Sequence, residues 1–448
     1  MIDIFHNKQV LQNCKIYQML ARHTKERHLA FHMPGHQSGQ WDITELSFSD
    51  NLIAPRGCIA EAEKDIANIL GAYQSFILTN GSTSGVASML YAAKELGVKR
   101  IAVFERAHKS FFNACKLLGL TPLVYTAERD EKIAYPPTMY ELKEKYSAIL
   151  SKADGLFITS PDYFGHIADY RELRKYCDET GKLLLVDGAH GGHLHFDRAI
   201  YAGEYADMWV DGVHKSLPCY TQGAIVSARA EETAKALWQG VDVFRTTSPS
   251  YPIMASVEYA VKYPRNEALE QSVLAFLNNN ERIYPTKDWT KLCALFGKHA
   301  FAAQNELEKE GIYCEFCDGN VVMFYLSPVT TAENFQTLTR RLTELFEKYP
   351  YTEEIDANAT KNDIQRNPAP LVFTKATKKE WVALSQAEGR ICVNECGFFP
   401  PCFPLIKAGE RVTADKILLL QQATNVYGLL EGKICVLAEK TEDRGEEL

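Results

Sequence analysis

Leu183-Leu184-Leu185-Val186-Asp187 and, one strand–helix unit later, Asp211-Gly-Val-His-Lys-Ser216 are the two stretches on which the reading of this chain turns. Four consecutive apolar residues closed by an aspartate read as a strand buried on both faces, with its acid at the carboxyl end. Lys215 lies in a short His-Lys turn just past the next extended run, 207–210. A carboxylate and a lysine at neighbouring strand ends suit an open α/β sheet, which places ligands beyond the carboxyl ends of its strands.

The flanking sequence keeps the same rhythm. Ile59, Ala62, Ile66 and Ile69 repeat at helical spacing, and Gly71 is placed to end that helix. Residues 74–79 read as a strand, 84–96 as a helix stopped by Gly97, and 100–104 as a strand. A helix over 110–118 ends at Gly119, and 122–125 is extended. Residues 138–151 are helical, 155–159 extended, 169–180 helical up to Gly181, and 223–227 extended. Such alternation predicts right-handed crossovers and a mostly parallel sheet covered on both faces.

This assigns 51–282 to a large α/β domain. Residues 1–50 form an N-terminal arm with a helix across 10–26. Residues 283–438 read as a smaller α+β domain, with helices over 301–309 and 332–348 and extended runs over 321–326 and 371–374. The acidic stretch 439–448 is expected to be disordered. No internal repeat is found.

With 448 residues, 46% hydrophobic and 24% charged, the chain has an ordinary globular composition and enough length for two or more domains. A net charge of −8 gives no electrostatic reason to expect nucleic acid or an anionic membrane as partner. The N-terminus has no signal-peptide pattern, no apolar run approaches the ~20 residues of a membrane helix, and twelve scattered cysteines read as reduced thiols. These features point to the cytoplasm. No metal site is expected. Cys314 and Cys317 have zinc-ligand spacing but no second pair, Cys392, Cys396 and Cys402 share that lack, and His190, His193 and His195 have no neighbouring acidic ligand.

The chemistry sits at the strand ends. A lysine amine can hold an aldehyde, and a buried carboxylate can keep a pyridine nitrogen protonated, which together suit pyridoxal phosphate (PLP). Asn80-Gly81-Ser82-Thr83 joins a strand to a helix, where amides and hydroxyls bind phosphate or merely cap. His108, in Ala-His-Lys-Ser, either stacks on a ring or caps a helix. Residues 159–165 follow a strand in the same way and suit a wall of the site. The run Thr246-Thr-Ser-Pro-Ser-Tyr251, with Thr247 and Ser248, offers hydroxyls to a cofactor or a cap to the next helix.

Taken in order, these segments resemble the Orn/Lys/Arg decarboxylases, PLP enzymes of the aspartate-aminotransferase fold (fold type I). The likeness runs over roughly residues 29–411. It rests on Phe31-His-Met-Pro-Gly-His36, Asp42-Ile-Thr-Glu45, Thr79-Asn-Gly-Ser-Thr-Ser-Gly85, His108-Lys-Ser110 and Asp187-Gly-Ala-His-Gly191. It continues through His214-Lys215, Thr246–Tyr251, Glu388-Gly-Arg-Ile391, Phe399-Pro-Pro-Cys-Phe-Pro404 and Ala408-Gly-Glu410. The chain resembles a short member lacking the N-terminal receiver-like domain.

The resemblance implies that Lys215 is the Schiff-base lysine, Asp187 the partner of the ring nitrogen and His108 the stacking residue. Gly81, Ser82 and Thr83 would hold the phosphate, with His214 adjacent. Ala189 and His190 would lie near the ring or substrate, and Thr247 and Ser248 would add cofactor contacts. The implied reaction is α-decarboxylation of lysine, ornithine or arginine to a diamine or agmatine, in a homodimer with shared sites. A same-fold aminotransferase or other lyase, and a PLP-binding protein without turnover, are the alternatives. Arg390 would fix an α-carboxylate in the former, or form a structural ion pair. Glu395 would bind a distal substrate cation, or face solvent. Three departures stand out. The family usually has Glu where this chain has Gly188, small hydroxyl residues where it has Gly212 and Val213, and Gly where it has Cys402.

Overall fold

The computed structural model describes residues 4–26, 29–38, 40–126, 128–129, 133–351, 378–398, 404–423 and 425–438. The chain folds as two compact units, Met1–Cys293 with Phe324–Leu342, and Ala294–Met323 with Thr343–Leu448. The expected strand at 371–374, the acidic tail and Cys402 lie outside the described residues.

The first unit is built on seven strands: β1 (Gln74–Leu78), β2 (Arg100–Phe104), β3 (Thr121–Tyr125), β4 (Gly155–Thr159), β5 (Leu183–Gly188), β6 (Met208–Asp211) and β7 (Ala224–Ala228). Their order across the sheet is β1-β7-β6-β5-β4-β2-β3. All neighbours are parallel except β7, which runs antiparallel to both β6 and β1. The fold is therefore the α/β class expected, with one reversed strand. Alternate residues point to opposite faces. Leu184 and Val186 of β5 join one apolar cluster with Ile59, Leu173 and Met254, while Leu185 joins the other with Met89, Phe111 and Leu237. Both faces are covered by helices, which is why β5 is apolar without alternation.

The helices end where the sequence says. Gly71, Gly119 and Gly181 adopt the left-handed conformation and close Cys58–Leu70, Lys109–Leu118 and Tyr170–Thr180. Two expected helices are broken. Residues 10–26 form Lys8–Leu11 and Lys15–Lys25, because the fully buried Glu258 carboxylate accepts the Lys15 and Ile16 amides at 2.7 and 2.9 Å and starts a new helix there. Residues 138–151 split into Met139–Lys145 and Ser147–Lys152 at Tyr146, whose hydroxyl is drawn to Thr126 at 2.6 Å.

Asp50 organises the start of Cys58–Leu70. Its carboxylate accepts the amides of Asn51, Arg56, Gly57 and Ile59, each at 2.9 Å. Burial pushes its pKa up, but these amides outweigh it and hold it below the usual value. Asp50→Ala should cost about 2–3 kcal/mol in urea unfolding at neutral pH. Because the folded-state pKa is depressed, that contribution is complete above the unfolded value of about 4. It is lost as pH falls through the folded value, so the gap between wild type and variant should close in acid.

The second unit is α+β. It contains the helix Ala300–Lys309, an antiparallel pair Lys379–Ala383 with Lys433–Leu437, and Cys396–Phe398 flanked by Pro404–Ile406 and Val426–Tyr427. Leu384, Cys392, Cys396, Ile406, Ile417, Ile434 and Val436 form its core.

Candidate active site

The carboxyl ends of β1, β2, β4, β5 and β6 open on one side of the sheet, and the residues singled out by sequence arrive there on the turns that follow. β5 delivers Asp187, 3% exposed, whose Oδ1 accepts the Ala189 amide at 3.1 Å. Burial pushes its pKa up; the Lys215 charge and that amide act against the rise. The turn continues to His190, and the short helix Val213–Ser216 after β6 brings Lys215 Nζ to 3.0 Å from His190 Nε2.

His108 caps the helix Lys109–Leu118, its Nδ1 accepting the Ser110 amide at 3.2 Å. Burial first, then the charges of Lys215 and Lys109, lower its pKa to about 4, so the ring is neutral at pH 7. His190 is driven well below its ordinary value by burial and then by Lys215, Lys291, His108 and His214. His214 donates Nδ1–H to the Gly223 carbonyl at 2.9 Å, which fixes its ring. Its pKa is lowered by burial, partly offset by that carbonyl, and lowered further by Lys215. The three imidazoles thus surround one cation and stay uncharged.

Gly81 stands at the N-terminus of Ser82–Glu95 with φ +82, a conformation that L side chains rarely adopt. No side chain caps this 14-residue helix, so its first amides face outward at the positive end of the dipole. The Gly81 amide is itself tied to the Gln222 carbonyl at 2.9 Å, which anchors the loop to the turn before β7.

Tyr163, from the loop after β4, meets the His190 ring edge-on at 5.3 Å. Sequence reasoning missed Tyr325, whose hydroxyl lies 3.0 Å from His190 Nδ1. It ends an apolar run, Val321–Tyr325, with nothing in its pattern to mark it. It also missed Lys291, 4.1 Å above the Tyr325 ring centroid. Thr247 and Ser248 are exposed, and among the described residues no hydrogen bond or ion pair joins them to this cluster. Arg390 donates to Glu380 and to the Leu437 carbonyl within the second unit, and Glu395 is half-buried there. His193 approaches Asp288 Oδ1 to 2.8 Å, and His195 Nδ1 bonds the Gly192 carbonyl at 2.7 Å. Among the described residues no three His, Cys, Asp or Glu side chains gather to hold a metal.

Two departures from the family pattern have a structural account. A Cβ on Gly188 would sit 2.9 Å from the Val210 carbonyl oxygen and 3.2 Å from Asp211 Oδ1. One on Gly212 would sit 2.3 Å from the Ala189 carbonyl oxygen. The ends of β5 and β6 approach too closely for either side chain. Asp211, 2% exposed, accepts from Tyr201 and Trp209 through Oδ2. Burial pushes its pKa up to about 7, helped by Asp187 and opposed by the Tyr201 and Trp209 hydrogen bonds.

The donor set fits PLP. A phosphate would find open amides at Ser82 and Thr83, a protonated ring nitrogen a buried carboxylate at Asp187, and an aldehyde the Lys215 amine. The model for the Orn/Lys/Arg decarboxylase major domain matches residues 40–296. The chain is 29% identical to the uncharacterized protein YaaO of Bacillus subtilis (strain 168), over 94% of this chain and 96% of that one. It is 26% identical to the arginine decarboxylase of the same organism, over 90% and 92% respectively. The structure of the E. coli constitutive lysine decarboxylase covers 96% of this chain and 82% of its own, with TM-score 0.71 and 21% identity, a likeness of fold. Among the described residues, no helix is long and apolar enough to cross a membrane. The chain belongs to the Orn/Lys/Arg decarboxylase family, PLP-dependent amino acid decarboxylases of fold type I.

Proposed function

We propose that this protein removes the α-carboxylate of a basic amino acid as CO₂, leaving a diamine or agmatine. The observation that carries the reading is the convergence of Asp187, Lys215 and His190 at the ends of β5 and β6. Arginine is the first substrate to assay, because relatives matched over nine-tenths of this chain are named arginine decarboxylases; lysine and ornithine follow.

Bound PLP supplies an electron sink for the pair left behind when CO₂ departs. Lys215 would tether it, Asp187 would pair with the ring nitrogen, and Ser82 and Thr83 with Gly81 would hold the phosphate. His108 would lie against the ring, with Ala189 and His214 beside it. Lys215, with His190 at 3.0 Å to exchange a proton with it, is placed to return a proton to the α-carbon. The overall balance is one proton taken up for each CO₂ released. The Arg390 guanidinium, held by Glu380 and the Leu437 carbonyl, supports decarboxylation over transamination, which needs an arginine for the α-carboxylate.

The same proposal includes a cytoplasmic location and a homodimer with shared sites. All eleven cysteines described are free thiols, which suits a reducing compartment. Thr247 and Ser248, exposed and outside the cluster, contribute to a site only across such a pairing. The test is a screen of amino acids for CO₂ release and for keto-acid formation. CO₂ from arginine, lysine or ornithine without keto acid is expected. Keto acid without CO₂ would make the protein an aminotransferase, and silence in both assays with cofactor bound would make it a binding protein.

A further inference from the structure

Behind His190 lies a buried polar chain that the proposed reaction does not call for. Tyr325 Oη is 3.0 Å from His190 Nδ1 and 3.3 Å from the Tyr163 carbonyl oxygen. The Lys291 ammonium stands 4.1 Å from the centre of the Tyr325 ring, donates to Thr290 Oγ1 at 2.9 Å, and lies 3.5 Å from Asp288 Oδ2. Lys291, Asp288 and Thr290 are each 0% exposed. Lysine is almost never fully buried, and burying it beside a carboxylate is a costly way to fill space.

The hydrogen bonds have only one consistent direction. An ammonium has donors and no acceptor, so Lys215 must donate to His190 Nε2. The imidazole proton is then on Nδ1, which donates to Tyr325 Oη. The Tyr325 hydroxyl proton goes to the Tyr163 carbonyl, which can only accept. Lys291 over the phenol ring holds that ring in place through the cation–π attraction and sets a second positive charge behind His190.

We propose that Lys291 is a positioning residue, which through Tyr325 fixes the His190 tautomer whose Nε2 lone pair faces Lys215. The charged and titratable groups facing His190 are Lys215, Lys291, His108 and His214, with Tyr163 and Tyr325. All four cations or potential cations oppose a proton there. Asp288, the carboxylate in the chain behind it, is turned to Lys291 and His193, and among the described residues no carboxylate is hydrogen-bonded to His190. His190 is in this way kept as a proton acceptor for the lysine amine. The catalytic consequence rests on the reading of Lys215 given above; the tautomer also follows from the Tyr163 carbonyl alone, which takes the Tyr325 hydroxyl proton and so obliges Tyr325 Oη to accept from His190 Nδ1–H.

The test uses full-length protein labelled with ¹⁵N-histidine, before and after PLP is added. Lys291→Met and Tyr325→Phe are compared with wild type, and His190→Gln assigns the signal. Wild type should show the Nδ1–H tautomer of His190, uncharged well into the acid range. Lys291→Met removes a charge opposing protonation, so His190 should take up a proton at higher pH. The acid limb of kcat/KM should then move up by about one pH unit, with kcat about tenfold lower and KM little changed. Tyr325→Phe keeps the Lys291–Asp288 pair and should give mixed tautomers with a similar loss in kcat. If Lys291→Met does not fold, this second variant decides alone. An Nε2–H tautomer in wild type overturns the proposal, as do an unchanged tautomer and acid limb in the folded variants. A correct tautomer in a protein that releases no CO₂ would instead count against the decarboxylase reading.

Discussion

Lys215→Ala should release no measurable CO₂ and should carry no PLP adduct after borohydride treatment. The loss in turnover is expected to be about 10⁴-fold or more, the scale at which a covalent anchor and its proton transfers fail together. Lys291 is poorly placed to take over the tether. Lys291, which also acts on His190, is sealed at 0% exposure against Asp288 and the Tyr325 ring. Mass analysis of the reduced, digested protein would locate the label. Label retained at wild-type level on the variant would mean that the tether is elsewhere and that Lys215 has been misassigned.

Asp187→Asn should separate binding from chemistry. Asparagine keeps an oxygen for the Ala189 amide, now bonded to Asp187 Oδ1 at 3.1 Å, so the turn after β5 should survive. It offers no negative charge to a protonated ring nitrogen. Turnover is expected to fall about 10²–10³-fold, as when other preorganised electrostatic partners are removed, while the cofactor absorbance remains. Thermal stability of the cofactor-free protein should not fall. Burial already pushes the Asp187 carboxyl up, so a neutral isostere relieves a desolvation cost. Near-normal turnover would remove Asp187 from the mechanism, and a cooperative loss of fold would make its role structural.

Much of this site was legible because it lies on strand ends reached by short turns. A buried strand announces itself by composition, and its last residue is then placed within a position or two. Asp187, His108 and Lys215 are legible in that way, and the helix-ending glycines set the pace between them. Tyr325 and Lys291 were not legible. They reach His190 through tertiary packing from residues far along the chain, and the run that holds Tyr325 reads only as extended and apolar. The broken helix at Gln12–Cys14 shows the same limit. Its sequence reads as continuous, and only Glu258, some 240 residues away, supplies the carboxylate that restarts it. Thr247 and Ser248 show the converse: hydroxyls in a suggestive motif, lying on the exterior of the unit that holds the cluster.

The glycines at 188 and 212 carry a consequence for anyone who would convert this protein to the commoner pattern of its family. Each occupies a gap set by the other strand's main chain, so the two substitutions are coupled rather than separate. Installing glutamate at 188 or serine at 212 alone would wedge apart the floor on which Lys215 stands. Grafting that signature therefore requires the paired segments to be exchanged as a block, and single-site scans here would report breakage where they were meant to report specificity.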